Sequence, residues 1–174
     1  MDLRLNLNIS TIQQVTIRLS VNLTPTDIQM GFANLKLTGM RFECTKKGKC
    51  TIVNDAYNAS PMSMSAAIST LKEIAEGRRI LVLGDMLELG DSSKNAHAKV
   101  GKEVAESGAD VLITMGTLAE DIANGAETMG MKNVFRTKDH AEAAEKIKEI
   151  MKSGDTILFK GSRGMRMEKI IDLL

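Results

Sequence analysis

Residues 37–61, LTGMRFECTKKGKCTIVNDAYNASP, carry the pattern that decides the fold. Within this stretch, Arg41–Lys46 and Cys50–Asn54 have the composition of β-strands, and the Lys-Gly turn between them predicts a hairpin. The second strand runs into a carboxylate, Asp55, and a Ser60-Pro61 pair then begins a helix. Open α/β sheets build ligand sites from a strand that ends in such polar residues before a helix.

Downstream of this stretch, strands and helices alternate to the end of the chain. RILVLG at Arg79–Gly84 is a nearly continuous apolar run, which is typical of a strand buried on both faces. Alternation with right-handed crossovers predicts an α/β fold: a Rossmann-like, doubly wound, mostly parallel sheet with one antiparallel strand, preceded by a short helical remnant. The predicted strands after the hairpin are 79–84, 110–115, 133–136 and 156–160, and the predicted helices are 61–75 (closed by Gly77 as its C′ residue), 91–107, 117–129, 139–151 and 165–174.

The start of the chain has a different character. The first 23 residues suit a strand and a helix face equally well, and Thr24-Pro25 then resembles a helix start. We therefore predict two parts. Residues 1–40 would be the incomplete tail of a preceding domain, and residues 41–174 would be one α/β domain.

The composition excludes several classes of function. A net charge of +1 gives no electrostatic reason to expect nucleic acid or an anionic membrane surface as a partner. Only 3% of the residues are aromatic, so stacking platforms for single strands are not expected. No apolar run approaches the roughly 20 residues that span a bilayer, and no signal-peptide layout is present, so we expect a cytoplasmic protein. Cys44 and Cys50 are expected to be reduced, and without nearby histidines they do not predict a zinc site.

The residues around the first parallel strand are the first candidates for binding. Asp55 could accept hydrogen bonds from ribose hydroxyls or order a cationic neighbour, or it could be a turn or N-cap carboxylate. Tyr57 could lie flat on a base or simply pack with an exposed hydroxyl. Arg41 could be a phosphate ligand shared with a neighbouring domain or a member of a hinge salt bridge.

Two later loops contain the remaining candidates. Asp85 and Glu88 are close enough in sequence to share an ammonium group or a metal, or to be a solvated pair at a helix start. Residues 161–164, with Ser162 and Arg163, could hold an anion with backbone N–H groups and a guanidinium, or could form a tight strand-to-helix turn. His97 is expected to be a surface or partly buried helical histidine. Neither a Gly-x-Gly-x-x-Gly fingerprint nor a Gly-x-x-x-x-Gly-Lys-Ser/Thr phosphate loop is present in the sequence.

Five motifs together resemble one family of ligases. The motifs are LTGMRFE, NDAYNASP, LVLGDMLELG, His-x-x-Val-Gly at His97–Gly101, and FKGSRGMRMEK. In this order and spacing they resemble the Mur ligases of peptidoglycan synthesis, and among them the MurF type, which joins D-Ala-D-Ala to UDP-MurNAc-tripeptide. The resemblance extends from about Pro25 to Leu174.

The resemblance implies the C-terminal domain of a three-domain, ATP-dependent amide ligase, together with the tail of its central ATPase domain. Family members use ATP and Mg2+ and pass through an acyl phosphate. By the same resemblance, Arg41 would contact the ATP phosphates and Asp55 the ribose, with Tyr57 and Asn58 beside the nucleotide. The loops at residues 85–90 and 161–163 would face the dipeptide. The residues implied to lie near the dipeptide are Asp85, Glu88, Ser162 and Arg163.

The resemblance also implies what this stretch leaves to the rest of such an enzyme. The phosphate loop and the magnesium ligands belong to the family's central domain, so we expect no catalytic residue, no bound metal and no ligase activity from these residues alone. The domain partner would be that central ATPase domain. The alternatives are a non-catalytic Rossmann-like ligand-binding module, or the C-terminal domain of a related Mur or folylpolyglutamate ligase.

Overall fold

The computed structural model describes residues 39–174, which form one compact unit. The expectations for residues 1–38, including the Thr24-Pro25 helix start and the strand-or-helix stretch before it, lie outside the described residues. The domain boundary at residues 40 and 41 therefore stays a prediction.

The described residues contain six strands and five helices, in the alternating order that the sequence predicts. The ends differ from the predicted ones by at most three residues. The strands are β1 (Glu43–Lys47), β2 (Cys50–Asp55), β3 (Arg79–Gly84), β4 (Val111–Met115), β5 (Val134–Thr137) and β6 (Thr156–Lys160), and the helices are α1 (Pro61–Ile74), α2 (Ser93–Glu106), α3 (Glu120–Thr128), α4 (His140–Ile150) and α5 (Glu168–Leu173). Short 3-10 turns, Gly90–Ser92 and Arg163–Met165, precede α2 and α5.

All six strands join in one sheet with the order β1-β2-β6-β3-β4-β5. β1 pairs antiparallel with β2 as the predicted hairpin, and every other pair is parallel. The predicted α/β fold class is confirmed. The last strand, β6, lies between β2 and β3, a position that no local pattern in the sequence reveals.

The two faces of the sheet are covered by different helices. Helices α1, α2 and α3 pack on one face, where Met64, Leu71 and Val104 join alternate side chains of the central strands. Helices α4 and α5 cover the other face, where Ile147 and Ile170 pack on the remaining strand side chains. β3, β4 and β6 are buried along nearly their whole length, as the apolar runs predict.

A local signal places the start of α1. Ser60 is the N-cap of α1 and forms a capping box with Ser63, while Pro61 occupies the first helical position. Gly77, however, does not close α1 as a C′ residue. Ala75 is the C-cap, and Gly77 is required because a Cβ there would lie 2.3 Å from the carbonyl oxygen of Gly154.

Two further observations concern the cysteines and the length of the helices. Cys44 is exposed and Cys50 is buried, and both are free thiols, as expected. Within residues 39–174, none of the helices combines the length and apolar character needed to cross a bilayer.

Candidate functional site

The carboxyl ends of β2, β6 and β3 are neighbours at one edge of the sheet, where the connections change from one face of the sheet to the other. The loops after β2 and β3 lead to α1 and α2 on one face of the sheet, whereas the loop after β6 leads to α5 on the other face. Loops that diverge in this way open a crevice at the sheet edge, which is where open α/β sheets bind ligands. The segments that follow these three strands, residues 54–60, 84–90 and 160–164, therefore come together there.

A buried ion pair lies at the centre of this edge. Asp55 and Lys160 are register partners on β2 and β6, and the Lys160 Nζ lies 2.6 Å from the Asp55 Oδ2. The same ammonium donates to the carbonyl oxygen of Asn58 at 2.9 Å, and its side chain is only 3% exposed. The backbone N–H of Phe42 donates to the Asp55 Oδ1 at 3.1 Å. Asp55 thus orders a cationic neighbour, and its predicted contact with ribose stays a prediction.

The segment before β1, residues 39–42, is fixed by contacts to the loop after β2. The Tyr57 N–H donates to the carbonyl oxygen of Met40 at 3.0 Å, and the Arg41 guanidinium lies 4.1 Å from the centroid of the Tyr57 ring. This is a cation–π contact. It puts two of the predicted nucleotide-binding side chains directly against each other.

Backbone strain marks the same segment. Met40 and Phe42, which flank Arg41, both have positive φ angles of 64° and 50°. Non-glycine residues in such conformations cost on the order of 1–3 kcal/mol each and persist only where the surroundings hold them. Here the Tyr57 and Asp55 hydrogen bonds hold them, so the orientation of Arg41 is determined by residues of the β2 end.

The loop after β3 is fastened from two sides. The buried Asp85 accepts the N–H of Ala119 on its Oδ1 at 2.7 Å. The N–H of Ser162 donates to the Asp85 carbonyl at 2.9 Å, and the N–H of Leu87 donates to the Ser162 Oγ at 2.8 Å. Gly116 makes room for this carboxylate, because a Cβ on its φ +120° backbone would lie 2.2 Å from the Asp85 Oδ1. Asp85 and Ser162 therefore connect adjacent loops.

Glu88 and Arg163 present their side chains at the surface of the edge. Glu88 is exposed, has a φ of 65°, and forms no ion pair or hydrogen bond through its carboxylate with the described residues. Its predicted sharing of an ammonium group or a metal with Asp85 stays a prediction. Arg163 lies in a 3-10 turn, and its Nη1 donates to Glu168 Oε1 at 2.7 Å, with the Met40 sulfur at 3.5 Å. The segment 161–164 forms a tight strand-to-helix turn, and anion binding by this turn stays a prediction.

His97 is a supporting residue that the sequence did not reveal. It is completely buried, not superficial, and its Nε2 accepts the N–H of Met86 at 2.9 Å. Its Nδ1 lies 2.7 Å from the Ser93 carbonyl, so the hydrogen bonds require the neutral tautomer with the proton on Nδ1. His97 therefore fixes the start of the 85–90 loop from behind.

Lys160 is the other supporting residue, and it was not among the candidate site residues predicted from the sequence. The available signal was a lysine at the end of TILFK, a strand predicted to be buried on both faces. Buried ammonium groups require an anionic or hydrogen-bonding partner. The partner itself could not be read from the sequence, because it lies 105 residues away.

A second ion pair lies at the opposite, amino edge of the sheet. Arg78 donates to both carboxylate oxygens of Asp155, at 3.0 Å and 2.8 Å. Burial raises the pKa of Asp155, but the hydrogen bonds from Arg78 and from the Lys152 N–H outweigh it and hold that pKa below its usual value. This pair is remote from the crevice. In the part of the chain that the structure describes, no group of three or more metal-ligating side chains is arranged around a common point.

Comparison with known sequences gives a consistent assignment. The profile of the family described as Mur ligase, glutamate ligase domain, matches residues 40–163. The chain is 41% identical over 152 residues to the UDP-N-acetylmuramoyl-tripeptide--D-alanyl-D-alanine ligase of Bacillus subtilis, covering 86% of this chain and 33% of that protein. The Escherichia coli protein of the same name is 34% identical over 157 residues, covering 90% of this chain and 34% of that protein. The chain thus spans about a third of the length of these curated relatives.

Solved structures show the same likeness. Crystal structure I of MurF from Acinetobacter baumannii superposes with a TM-score of 0.75 at 30% identity, over 91% of this chain and 35% of that one. A MurF ligase from Thermotoga maritima in complex with ADP gives a TM-score of 0.71 at 28% identity, over 95% of this chain and 36% of that one. A bifunctional folylpolyglutamate synthase gives a TM-score of 0.65 at 15% identity over 94% of this chain and 38% of that one, which is a likeness of fold alone.

Proposed function

The chain belongs to the Mur ligase family, and from this premise we propose that it is the C-terminal part of a MurF-type ligase. Such an enzyme would add D-Ala-D-Ala to UDP-MurNAc-tripeptide in an ATP-dependent amide-forming reaction of peptidoglycan synthesis. Residues 1–40 would be the tail of the central ATPase domain, and residues 41–174 the C-terminal domain. The observation that carries the proposal is the 41% identity to the Bacillus subtilis ligase over 152 residues.

The positions of the resembling motifs support this proposal. MRFE, NDAYNASP, LGDMLELG and FKGSRG contribute residues to the single crevice at the ends of β2, β6 and β3. If these turns served only to connect strands and helices, the motifs of the family would not be expected to cluster at one edge of the sheet. The contacts among Arg41, Asp55, Tyr57 and Lys160 join those motifs directly.

The residues at this edge fit one side of a nucleotide site. Arg41 offers a guanidinium suited to phosphate, Asp55 offers a carboxylate suited to ribose hydroxyls, and Tyr57, a residue that is 37% exposed, offers an aromatic ring. Asn58 is exposed beside them. When bound, ATP supplies the phosphoryl group that activates the substrate carboxylate as an acyl phosphate. Magnesium ligands would come from the central domain, as the family resemblance implies.

The loops after β3 and β6 would face the incoming dipeptide. Of the four residues predicted there, Glu88 and Arg163 present charged side chains at the surface, suited to an ammonium and a carboxylate. Asp85 and Ser162 are buried and engaged with backbone groups. We therefore propose direct substrate contact for Glu88 and Arg163, and a supporting position for Asp85 and Ser162.

A domain replacement tests this function. Residues 41–174 would replace the corresponding C-terminal region of the Bacillus subtilis ligase, and the hybrid would be supplied with ATP, Mg2+, UDP-MurNAc-tripeptide and D-Ala-D-Ala. ATP-dependent formation of UDP-MurNAc-pentapeptide, followed by mass spectrometry, is the expected result. A hybrid that is folded and binds UDP-MurNAc-tripeptide, yet forms no pentapeptide, would contradict the proposal and favour a non-catalytic binding module.

A further inference from the structure

Lys160 brings a charged group into one of the most enclosed positions at the crevice. Its residue exposure is 2%, and it ends a strand whose other members, Thr156 to Phe159, are also buried. An ammonium group loses several kcal/mol of hydration in such a place unless close partners replace the water. The Asp55 carboxylate and the Asn58 carbonyl are those partners, at 2.6 Å and 2.9 Å.

Three separate segments depend on this one ammonium group. Asp55 ends β2 and, through its second oxygen, holds the N–H of Phe42 in the segment before β1. Asn58 belongs to the loop that carries Tyr57, whose N–H holds the carbonyl of Met40. Through these hydrogen bonds, Lys160 supports both strained residues that flank Arg41. Its own side chain is too buried to contact a ligand.

We propose that Lys160 is a positioning residue that sets the nucleotide side of the crevice. This inference rests on the proposed function for its kinetic part only. The Lys160 charge keeps the Asp55 carboxylate turned inward toward Phe42 and holds the Asn58 carbonyl against the sheet. Arg41, Asp55, Tyr57 and Asn58 thereby keep one arrangement before any ligand arrives, which lowers the ordering cost of binding.

The chain offers a matched control at the other edge of the same sheet. Arg78 and Asp155 also form a short ion pair, with an Asp155 side chain that is 2% exposed. Removing the Arg78 charge also leaves a buried partner, the Asp155 carboxylate, without its counter-charge. Arg78 has no contact with residues 39–42 or 56–60, so this loss does not act on the crevice. A merely structural contribution of Lys160 would therefore be reproduced by Arg78→Met.

Backbone amide exchange in the 174-residue chain gives the first test. In Lys160→Met, the protection of the Phe42 and Tyr57 amides against hydrogen exchange should fall by about tenfold or more relative to that of the Thr51 amide. The Thr51 N–H is the reference because it donates to the Asp155 carbonyl at the far edge of the sheet. Arg78→Met should produce the reverse pattern. Equal loss at all three amides in Lys160→Met would overturn the proposal. If Lys160→Met does not fold, Lys160→Gln, which retains N–H donors without the charge, takes its place.

The kinetic test uses the domain-replaced ligase. Lys160→Met should raise the KM for ATP about tenfold while kcat changes much less, because groups that meet the nucleotide lose their arrangement. Arg78→Met should leave the KM for ATP within about twofold. An unchanged KM in Lys160→Met would refute the positioning role. Failure of the unaltered hybrid to form pentapeptide would refute the proposed function instead, and the amide pattern would still decide the role of Lys160.

Discussion

Replacing Ser162 by alanine should loosen the crevice by a predictable amount. The Ser162 hydroxyl accepts the Leu87 N–H at 2.8 Å, and this is the short bond that the substitution removes. Its contact with the Ala59 carbonyl, at 3.5 Å, is too long to contribute much. The backbone bond from the Ser162 N–H to Asp85 remains in the variant.

The expected cost follows from those contacts. A neutral hydrogen bond contributes about 0.5–1.5 kcal/mol, and a donor left without a partner in a half-buried place adds to that loss. We therefore expect Ser162→Ala to lower the free energy of unfolding by about 1–2 kcal/mol, with the Leu87 amide becoming the most accelerated site in hydrogen exchange.

Urea unfolding of the 174-residue chain measures this cost. Ser107→Ala is a suitable control, because the Ser107 hydroxyl bonds only the Val104 carbonyl in its own helical turn, at 2.7 Å. The control should lose less than about 0.5 kcal/mol. Equal losses in the two variants, or an unaltered Leu87 exchange rate in Ser162→Ala, would refute the assignment of Ser162 as the link between the loops after β3 and β6.

Two further predictions concern the frame around the crevice. Gly101→Ala should lower the free energy of unfolding by at least about 1–3 kcal/mol, because the new Cβ would lie 1.9 Å from the Ile122 carbonyl oxygen where α2 and α3 touch. Urea unfolding would check this prediction, with Lys102→Ala, a substitution at an exposed position, as the control. Equal unfolding midpoints for the two variants would contradict the prediction. Arg78→Met should cost about 2–4 kcal/mol at pH 7 by leaving a buried carboxylate without its cation. Because the pKa of Asp155 is lowered by folding, this contribution is present above the unfolded pKa of about 3.9 and is lost as the pH falls through the lower folded value. The unfolding free energies of Arg78→Met and the unaltered chain should therefore converge below about pH 4, and a difference that stays constant down to pH 2 would contradict the role of this pair.

Local patterns were sufficient for the order and type of the elements. Apolar runs such as Arg79–Gly84 are buried strands, and Ser60-Pro61 begins a helix as predicted, because caps and periodicity are encoded within a few neighbouring residues. The five motifs also identified the Mur ligase family correctly. Only their order and spacing, not any single motif, supported that assignment.

Features that depend on distant residues were not accessible in the same way. The insertion of β6 between β2 and β3 brings Lys160 to Asp55, and nothing near either residue in the sequence indicates that pairing. Gly77 looked like a helix terminator, but its small size serves the approach of the Gly154 backbone, a contact between residues far apart in the chain. His97 was misjudged although its partner, the Met86 N–H, is only 11 residues away, because a helical pattern does not indicate which side chains the preceding loop covers.

The hydrogen bonds of Asp55 bear on its proposed contact with the ribose of the nucleotide. The structure brings Arg41, Asp55, Tyr57 and Asn58 to one edge, and it gives Asp55 an internal partner on each carboxylate oxygen. A carboxylate offers about four lone-pair directions, so these partners leave room for a ribose hydroxyl. The ribose contact proposed for Asp55 can therefore form without the loss of either internal hydrogen bond.

ADP release by the domain-replaced ligase is the decisive measurement for the proposed function. We predict that the hybrid carrying residues 41–174 converts ATP to ADP over many turnovers only when UDP-MurNAc-tripeptide and D-Ala-D-Ala are both present. We also predict that Arg41→Ala and Asp55→Ala each raise the KM for ATP about tenfold or more, because each removes a charged contact to the nucleotide. A folded hybrid without ADP release, or an active one in which both variants keep the unaltered KM for ATP, would contradict this account.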